Sequence, residues 1–542
     1  MAIINICRVL ISIIIFANSE TPYELFSIGC QLELDGKIEE AIEYYKQVKD
    51  LTPESSEIYI SLANALYQIR KFDEGINIAK EGLLITDDKT QMYHTIAIGN
   101  IGKGDFKEAI EFQKKSIQIE PENIDIYNSL SILYEVVKDK NNARQVLVNI
   151  PDSLKTPDVF TRLGSLSGKL SDHETAIKYY HQAYTLDTTN IAALIGIGTG
   201  FDILNVKDSA IYYYEKSLRE DTLVLTVGKR LVDLYSDTDK YGNLINMAQR
   251  ILEFNFNDGH IRRSLGFGLY KTGMLREALN EFLIASRLDP KDTYSRFYTG
   301  RIYLEQGNYN AALKEINQAI KINPDFVELW IYLGFVAIDI KDFETAEYAF
   351  TEAAYHGGDL IQIYYLFGVT AEMQQRYNEA YLYYHKSLKV DPQSLSTLEA
   401  LASLCDRIEK KDEAFRTFQK IIELDTTNST ALNYVGYTYA EQNDSLEYAL
   451  QLINKALLIE KDNGYYIDSR GWVFYQMGKY DEALEELKNA SAIVEDAVIL
   501  EHLGDVYLKL NDSERAKEAY EKALEYDFEN SVLKEKLQKL SE

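Results

Sequence analysis

The side chains that could do chemistry are poorly spaced for it. The seven histidines are His94, His173, His181, His260, His356, His385 and His502, and none sits in an HExxH pattern or has a second ligand four residues further on. A zinc site needs several such donors converging on one ion. No metal is therefore expected, and each histidine reads as a helix-face residue. The three cysteines, Cys7, Cys30 and Cys405, show neither CxxC spacing nor the makings of a disulfide framework. Gly196-Ile197-Gly198-Thr199-Gly200 has the glycine density of a phosphate loop, but no strand leads into it, and Gly102-Lys103-Gly104 lacks the Walker spacing. There is no GxSxG elbow and no evident Cys–His pairing. The reading is of a chain without catalytic centre, metal or cofactor.

What the sequence does contain is a period. Small residues recur at Gly29, Ala63, Ala97, Ser131, Gly164 and Gly198, and again from Gly266 through Gly300, Gly334 and Gly368 to Gly504. The spacing is 33 to 35 residues and almost always 34. Twelve residues behind runs a second series, Ala41, Gly75, Ala109, Ala143, Ala176 and Ala210, continuing from Ala278 to Ala516 with one extra residue in the thirteenth repeat. Larger apolar residues such as Leu265, Leu269 and Phe282 recur around them at helical spacing, giving each helix an apolar face. Gly36, Gly104, Gly273, Gly307 and Gly478 fall where a first helix must end, and Pro53, Pro121, Pro290, Pro324 and Pro392 fall between repeats. The spacing predicts about fifteen helical hairpins, with the two small residues of each facing one another so that the backbones approach closely. Tyrosine doublets on second helices, Tyr179-Tyr180 and Tyr383-Tyr384, are expected to pack in the core.

Two repeats break the pattern. The fourth ends in Ile150-Pro151 with an irregular link to Pro157, and the seventh carries Val232 and Leu244 where small residues are expected. The array is expected to loosen there, dividing an amino-terminal arm (residues 22–258) from a carboxyl-terminal arm (259–530). Residues 531–542 then form a capping helix, with Val532, Leu533, Leu537 and Leu540 facing inward. Residues 1–19 read as a signal peptide: Arg8 precedes the apolar stretch Val9 to Phe16, and Ala17-Asn18-Ser19 supplies a cleavage pattern. An exported protein of the periplasm or outer envelope is expected, or a cytoplasmic one if the leader is not a signal. The net charge of −28 disfavours nucleic acid and anionic membrane surfaces.

The eighth and ninth repeats, GHIRRSLGFGLYKTGMLREALNEFLIASRLDPKD and TYSRFYTGRIYLEQGNYNAALKEINQAIKINPDF, closely resemble the tetratricopeptide repeat. The resemblance runs from residue 22 to 530. It implies an all-α, right-handed superhelix (an α-solenoid) whose first helices line a concave groove that binds proteins or peptides. It also places groove-facing side chains at set positions of each first helix. Carried over, these are Arg263, Phe267 and Tyr270 in the eighth repeat, and Tyr294, Phe297, Tyr298 and Arg301 in the ninth. They continue with Ile331, Tyr332 and Phe335 in the tenth, Tyr365 in the eleventh, Tyr434 and Tyr437 in the thirteenth, and Asp468, Trp472 and Tyr475 in the fourteenth. Aromatic and arginine side chains suit interface anchors, and they equally suit packing between hairpins. The asparagines of the carboxylate-clamp members are absent, while Lys229, Arg230, Arg262 and Arg263 form a basic cluster that could hold an acidic segment.

The run from ALNYVGYTYAEQ through NGYYIDSRGWVFYQMGKYDEALEELKNA is similar to a subgroup of bacterial envelope repeat proteins, among them a lipoprotein adaptor for a carboxyl-terminal processing protease. That implies an adaptor whose partners include an envelope protease or its substrates. Ser27-Ile28-Gly29-Cys30 faintly resembles a lipid-attachment box, but Pro22 and Glu24 interrupt the apolar lead-in. The expectation is a non-catalytic, protein-binding scaffold. Its rivals are a self-assembling structural component of the envelope and the repeat portion of an enzyme such as a glycosyltransferase.

Overall fold

A computed structural model describes residues 21–220 and 225–541. The expected leader, with Cys7, lies outside the described residues. Two compact units are present, one ending at Met274 and the other beginning at Leu275. Each is described by itself.

In the first unit the helices are α1 (Pro22–Leu34), α2 (Ile38–Leu51), α3 (Ser56–Gln68), α4 (Phe72–Ile85), α5 (Lys89–Lys103), α6 (Phe106–Ile119), α7 (Ile124–Val136), α8 (Lys140–Val148), α9 (Pro157–Lys169), α10 (His173–Leu186), α11 (Ile191–Ile203), α12 (Lys207–Glu220), α13 (Leu225–Asp237), α14 (Tyr241–Phe254) and α15 (Gly259–Lys271). In the second they are α16 (Leu275–Leu288), α17 (Thr293–Glu305), α18 (Tyr309–Ile322), α19 (Val327–Asp339), α20 (Phe343–Tyr355), α21 (Leu360–Met373), α22 (Tyr377–Val390), α23 (Leu395–Arg407), α24 (Lys411–Leu424), α25 (Ser429–Glu441), α26 (Leu446–Ile459), α27 (Gly464–Gln476), α28 (Tyr480–Ile493), α29 (Ala497–Lys509), α30 (Ser513–Tyr526) and α31 (Ser531–Ser541). Within each unit every helix packs on its chain neighbour, and some successive odd-numbered helices touch as well. This is the layered α-solenoid arrangement that the period predicts.

Local chemistry starts and stops these helices. Asp or Asn side chains accept the free amides at many N-termini, as Asp105 does from Glu108 and Asn190 from Ala193. Hairpin turns pass through the left-handed region, at Gly104 and Gly307 but also at Lys138, Ser171, Lys341 and Gln375. Glycine is thus a convenience at this turn and not a requirement, since one left-handed residue costs about 1–2 kcal/mol.

The structure adds a second role for the small residue to the close backbone approach seen where a Cβ at Gly300 or Gly436 would meet the Ala312 or Ala449 carbonyl oxygen at 3.5 or 3.0 Å. A Cβ added at Gly29 would lie 2.5 Å from the Tyr45 ring, at Gly198 2.7 Å from Tyr214, and at Gly164 2.8 Å from Tyr180. The first-helix glycine therefore makes room for a ring sixteen residues on, one turn past the small residue of the second helix. Gly334 with Phe350, Gly368 with Tyr384 and Gly504 with Tyr520 repeat this packing. It also explains the seventh repeat. Val232 occupies the glycine position, and Ala248 stands where the ring would be; both are fully buried. Bulk has moved from the second helix to the first. One doublet divides the same way: Tyr384 is 1% exposed, whereas Tyr383 lies partly exposed, stacked on Phe367 at 5.0 Å; Tyr179 and Tyr180 are both partly exposed. In the fourth repeat the irregular link is a short 3₁₀ turn at Asp152–Leu154, and Ile150 fills the core beneath it.

The cap departs from expectation at Val532, which is 53% exposed. The buried stripe of helix α31 is narrow: Leu533 is fully buried, and Leu537 and Leu540 are half-buried.

Candidate functional site

A recurring polar rung joins successive first helices. In its full form a second-helix tyrosine donates its hydroxyl to a carboxylate near the end of the preceding helix, and the next first helix supplies a second donor. Tyr45 and Gln68 meet on Glu33 at 2.8 and 2.5 Å. Tyr214 and Arg230 meet on Asp202, the guanidinium at 2.6 and 2.7 Å. Tyr384 and Arg407 meet on Glu372 at 2.9 and 2.8 Å. Reduced versions join Arg162 and Lys169 to Glu135, and Tyr434 to Asp406 at 2.7 Å. These charge-assisted bonds hold neighbouring hairpins in register.

Three of the four cations of the basic cluster already meet acceptors within the chain, which weakens its reading as an anion site. Lys229 pairs with Asp258 at 2.5 Å, Arg230 with Asp202, and Arg262 donates to the Phe256 carbonyl at 2.8 Å. For these three cations an acceptor of the chain itself already stands in place. Of the other first-unit candidates, Phe267 packs edge-on to Tyr241 at 5.9 Å with Lys271 above both rings, while Arg263 and Tyr270 are partly exposed on the same helix, α15.

In the second unit the rung between α17 and α19 is of another kind. The Arg301 guanidinium lies 5.2 Å from the centroid of the Tyr332 ring, an arginine presented to an aromatic face. Its Nε also lies 3.5 Å from Glu305, one turn along its own helix. Around it Tyr298 stacks on Phe282 at 5.2 Å, and Phe335 packs against Tyr332 at 5.6 Å. Tyr294 is 55% exposed and meets Phe326 at 5.1 Å. Arg301, Tyr298, Tyr332 and Phe335 are all partly exposed. Burial raises the Tyr298 and Tyr332 phenol pKa values, with Arg301 opposing, so both remain protonated donors near neutral pH.

Phe297 and Ile331 are different. They are 5% and 7% exposed, and Phe297 is enclosed by Tyr298, Phe326 and Tyr332 with centroids at 5.1 to 5.3 Å. They support the site from beneath. Phe326, which helps enclose Phe297, was not singled out from the sequence; it lies before α19 and outside the first-helix pattern that carries the resemblance.

The candidates from the last repeats form a second cluster. Asp468 of α27 and His502 of α29 are 6% and 7% exposed and are joined Oδ1 to Nδ1 at 2.9 Å. The Trp472 ring stacks on His502 at 4.0 Å and on Tyr475 at 4.6 Å, and Tyr437 lies 6.3 Å from His502. Burial disfavours a charged His502. The Asp468 charge and hydrogen bond, with Asp505 and Glu501 further away, outweigh it and raise the pKa. Burial also raises the Tyr475 phenol to about 12 and pushes the Tyr437 phenol up. Tyr365 is partly exposed and packs near Tyr384 at 6.1 Å, and Tyr434 is committed to Asp406 and to the Phe418 ring at 4.3 Å. The sequence did not single out His502, although its distance from Asp468, one repeat, is the signal that could have found it.

The sign of the His502 shift yields a prediction. A raised folded-state pKa adds stability that is full below the unfolded value, about 6.5, and is lost as pH rises through the folded value. The urea midpoint of the last repeats should fall from mildly acidic toward alkaline pH, and His502→Gln should flatten that slope. An unchanged slope in the variant would contradict the assignment.

Among the described residues no group of three His, Cys, Asp or Glu side chains is placed to hold a metal, and no helix is long and apolar enough to cross a membrane.

Matches to repeat-family models fall in both units. Residues 90–123 and 157–190 match a tetratricopeptide repeat, 300–337 a TPR repeat, and 472–542 a tetratricopeptide repeat-like domain. Anaphase-promoting complex subunit 7 of Mus musculus is 20% identical over 414 residues, spanning 75% of this chain and 72% of that protein. A TPR repeat-containing protein of Pseudomonas aeruginosa is 26% identical over 212 residues, which is 39% of this chain and only 36% of that protein. Among solved structures, that of YrrB, a TPR protein with an unusual peptide-binding site, aligns with a TM-score of 0.30 at 25% identity, over 34% of this chain and 91% of that one.

Proposed function

We propose that the chain is a tetratricopeptide-repeat scaffold for binding proteins, and that its partner, an extended peptide or a helix, lies across the first helices of the ninth and tenth hairpins, α17 and α19. The observation that carries this reading is Arg301 above Tyr332, flanked by the partly exposed Tyr298 and Phe335 and the exposed Tyr294. In the rungs of Arg162, Arg230 and Arg407 the cation crosses to a carboxylate on the preceding first helix. Arg301 also reaches forward to a ring of the following first helix, among several others, and these are the side chains that dominate interface hot spots. The relatives named above include a subunit of a multiprotein complex, in keeping with a non-catalytic role.

The finer reading is an adaptor exported to a bacterial envelope, with a processing protease or its substrates among its partners. It is supported by the basic–apolar–small order of residues 8–19 and by the resemblance of the last repeats.

One experiment tests both parts. Affinity capture from the native extract compares wild type with Arg301→Ala/Tyr332→Ala, which leaves the enclosed Phe297 in place. Losing a hot-spot pair worth about 2 kcal/mol or more lowers affinity by about thirtyfold, so partner recovery should collapse. Equal recovery of the same partners would rule out this groove. Mass spectrometry of the recovered wild-type chain should find Glu20 at its amino terminus; an intact leader would overturn export by a cleaved signal.

A further inference from the structure

The last hairpin ends in a face shaped to receive another first helix. When α29 joins the array it buries Ile499, Leu500, His502, Leu503, Val506 and Tyr507. The next place is held by α31, which fully buries a single side chain, Leu533. Leu537 and Leu540 pack half-buried against the same cluster, and Lys536 adds a polar hold on the same stripe. The ammonium donates to Glu501 Oε1 at 2.7 Å and to the two Asp505 oxygens at 2.7 and 2.8 Å, and stands 5.4 Å from the Tyr520 ring centroid. Tyr520 donates to the same Asp505 at 2.6 Å. This is the rung of Tyr384, Glu372 and Arg407 built once more, with the cation coming from a helix whose buried stripe is narrower than that of α29.

We propose that this end face is a docking site for a basic amphipathic helix of a partner protein, and that α31 is the occupant it displaces. The face specifies the newcomer: leucine-like side chains in the register of Leu533 and Leu537, and a lysine or arginine in the register of Lys536, delivered between two carboxylates and over a ring. Charge agrees, because α31 carries Lys534, Lys536 and Lys539 against Glu535 while the chain as a whole is at −28. The site is separate from the α17–α19 groove and stands or falls without it.

A fluorescent peptide of residues 531–541, SVLKEKLQKLS, is titrated by anisotropy into full-length wild type and into full-length Leu533→Asp/Lys536→Glu, whose own helix can no longer hold the place. The variant should bind at least tenfold more tightly than wild type. A peptide carrying Lys→Glu at position 536 should lose that gain, and adding Glu501→Lys to the variant chain should restore its binding. Equal binding by the two chains, no binding to the variant, or undiminished binding of the Lys→Glu peptide overturns the proposal. Hydrogen exchange on the unaltered chain tests the displacement separately. Amides of 533–541 should exchange at least a hundredfold faster than those of 499–509, and equal protection overturns the displacement.

Discussion

Asp468→Ala is expected to unfold the last two hairpins well before the rest of the second unit. Asp468 and His502 are both buried, and their bond joins α27 to α29 through the stack on Trp472. Removing the carboxylate leaves a buried imidazole without its counter-charge, and breaking a buried pair in this way costs about 3–5 kcal/mol. A hairpin in an array depends on its neighbours, so the loss is felt locally. In a thermal or urea melt a separate early transition should appear. Exchange of amides 497–541 should rise while those of 309–355 hold. His502→Gln should be milder, because its amide can still donate to Asp468. If Asp468→Ala melts in a single transition within 1 kcal/mol of wild type, the pair is not holding the last hairpins together.

Gly368→Val should be comparably damaging, and its damage should be repairable. The glycine faces Tyr384, and even a Cβ there would come closer to the ring than 3.0 Å. Overpacking of this kind costs about 1–3 kcal/mol, and here it also displaces the hydroxyl that meets Glu372. Tyr384→Ala alone opens a cavity, at about 3–5 kcal/mol for a large aromatic. The seventh repeat already shows the combined solution, Val232 with Ala248. The double variant Gly368→Val/Tyr384→Ala should therefore be more stable than the sum of the single changes by about 1–3 kcal/mol in a double-mutant cycle. Additivity within about 0.5 kcal/mol would show that the two positions do not share their space.

The groove candidates were legible as a set but not one by one. The repeat position picked out Arg301, Tyr332 and Trp472, and it picked out Phe297, Ile331 and Asp468 with the same force. The first group retains some exposed surface, and the second is buried. Register along a helix says which way a side chain points from its own axis. Whether anything covers it depends on the hairpin after, as Phe326 and Tyr332 cover Phe297. The basic cluster failed for a related reason. Two pairs of cations one repeat apart looked available, but Asp202 and Asp258, each also about a repeat away from its cation, reach Arg230 and Lys229.

By itself the sequence determined the unit and its repetition: helical hairpins, their order and their turns. Those follow from apolar spacing, helix caps and breakers, which act within a few residues of one another. Tertiary structure alone decided which carboxylate each donor meets, why a glycine stands against a ring, and which of sixteen similar positions keep an open face. Those outcomes rest on side chains about one period apart, brought to within 3 to 6 Å by stacking, and no pattern along a single helix contains that distance.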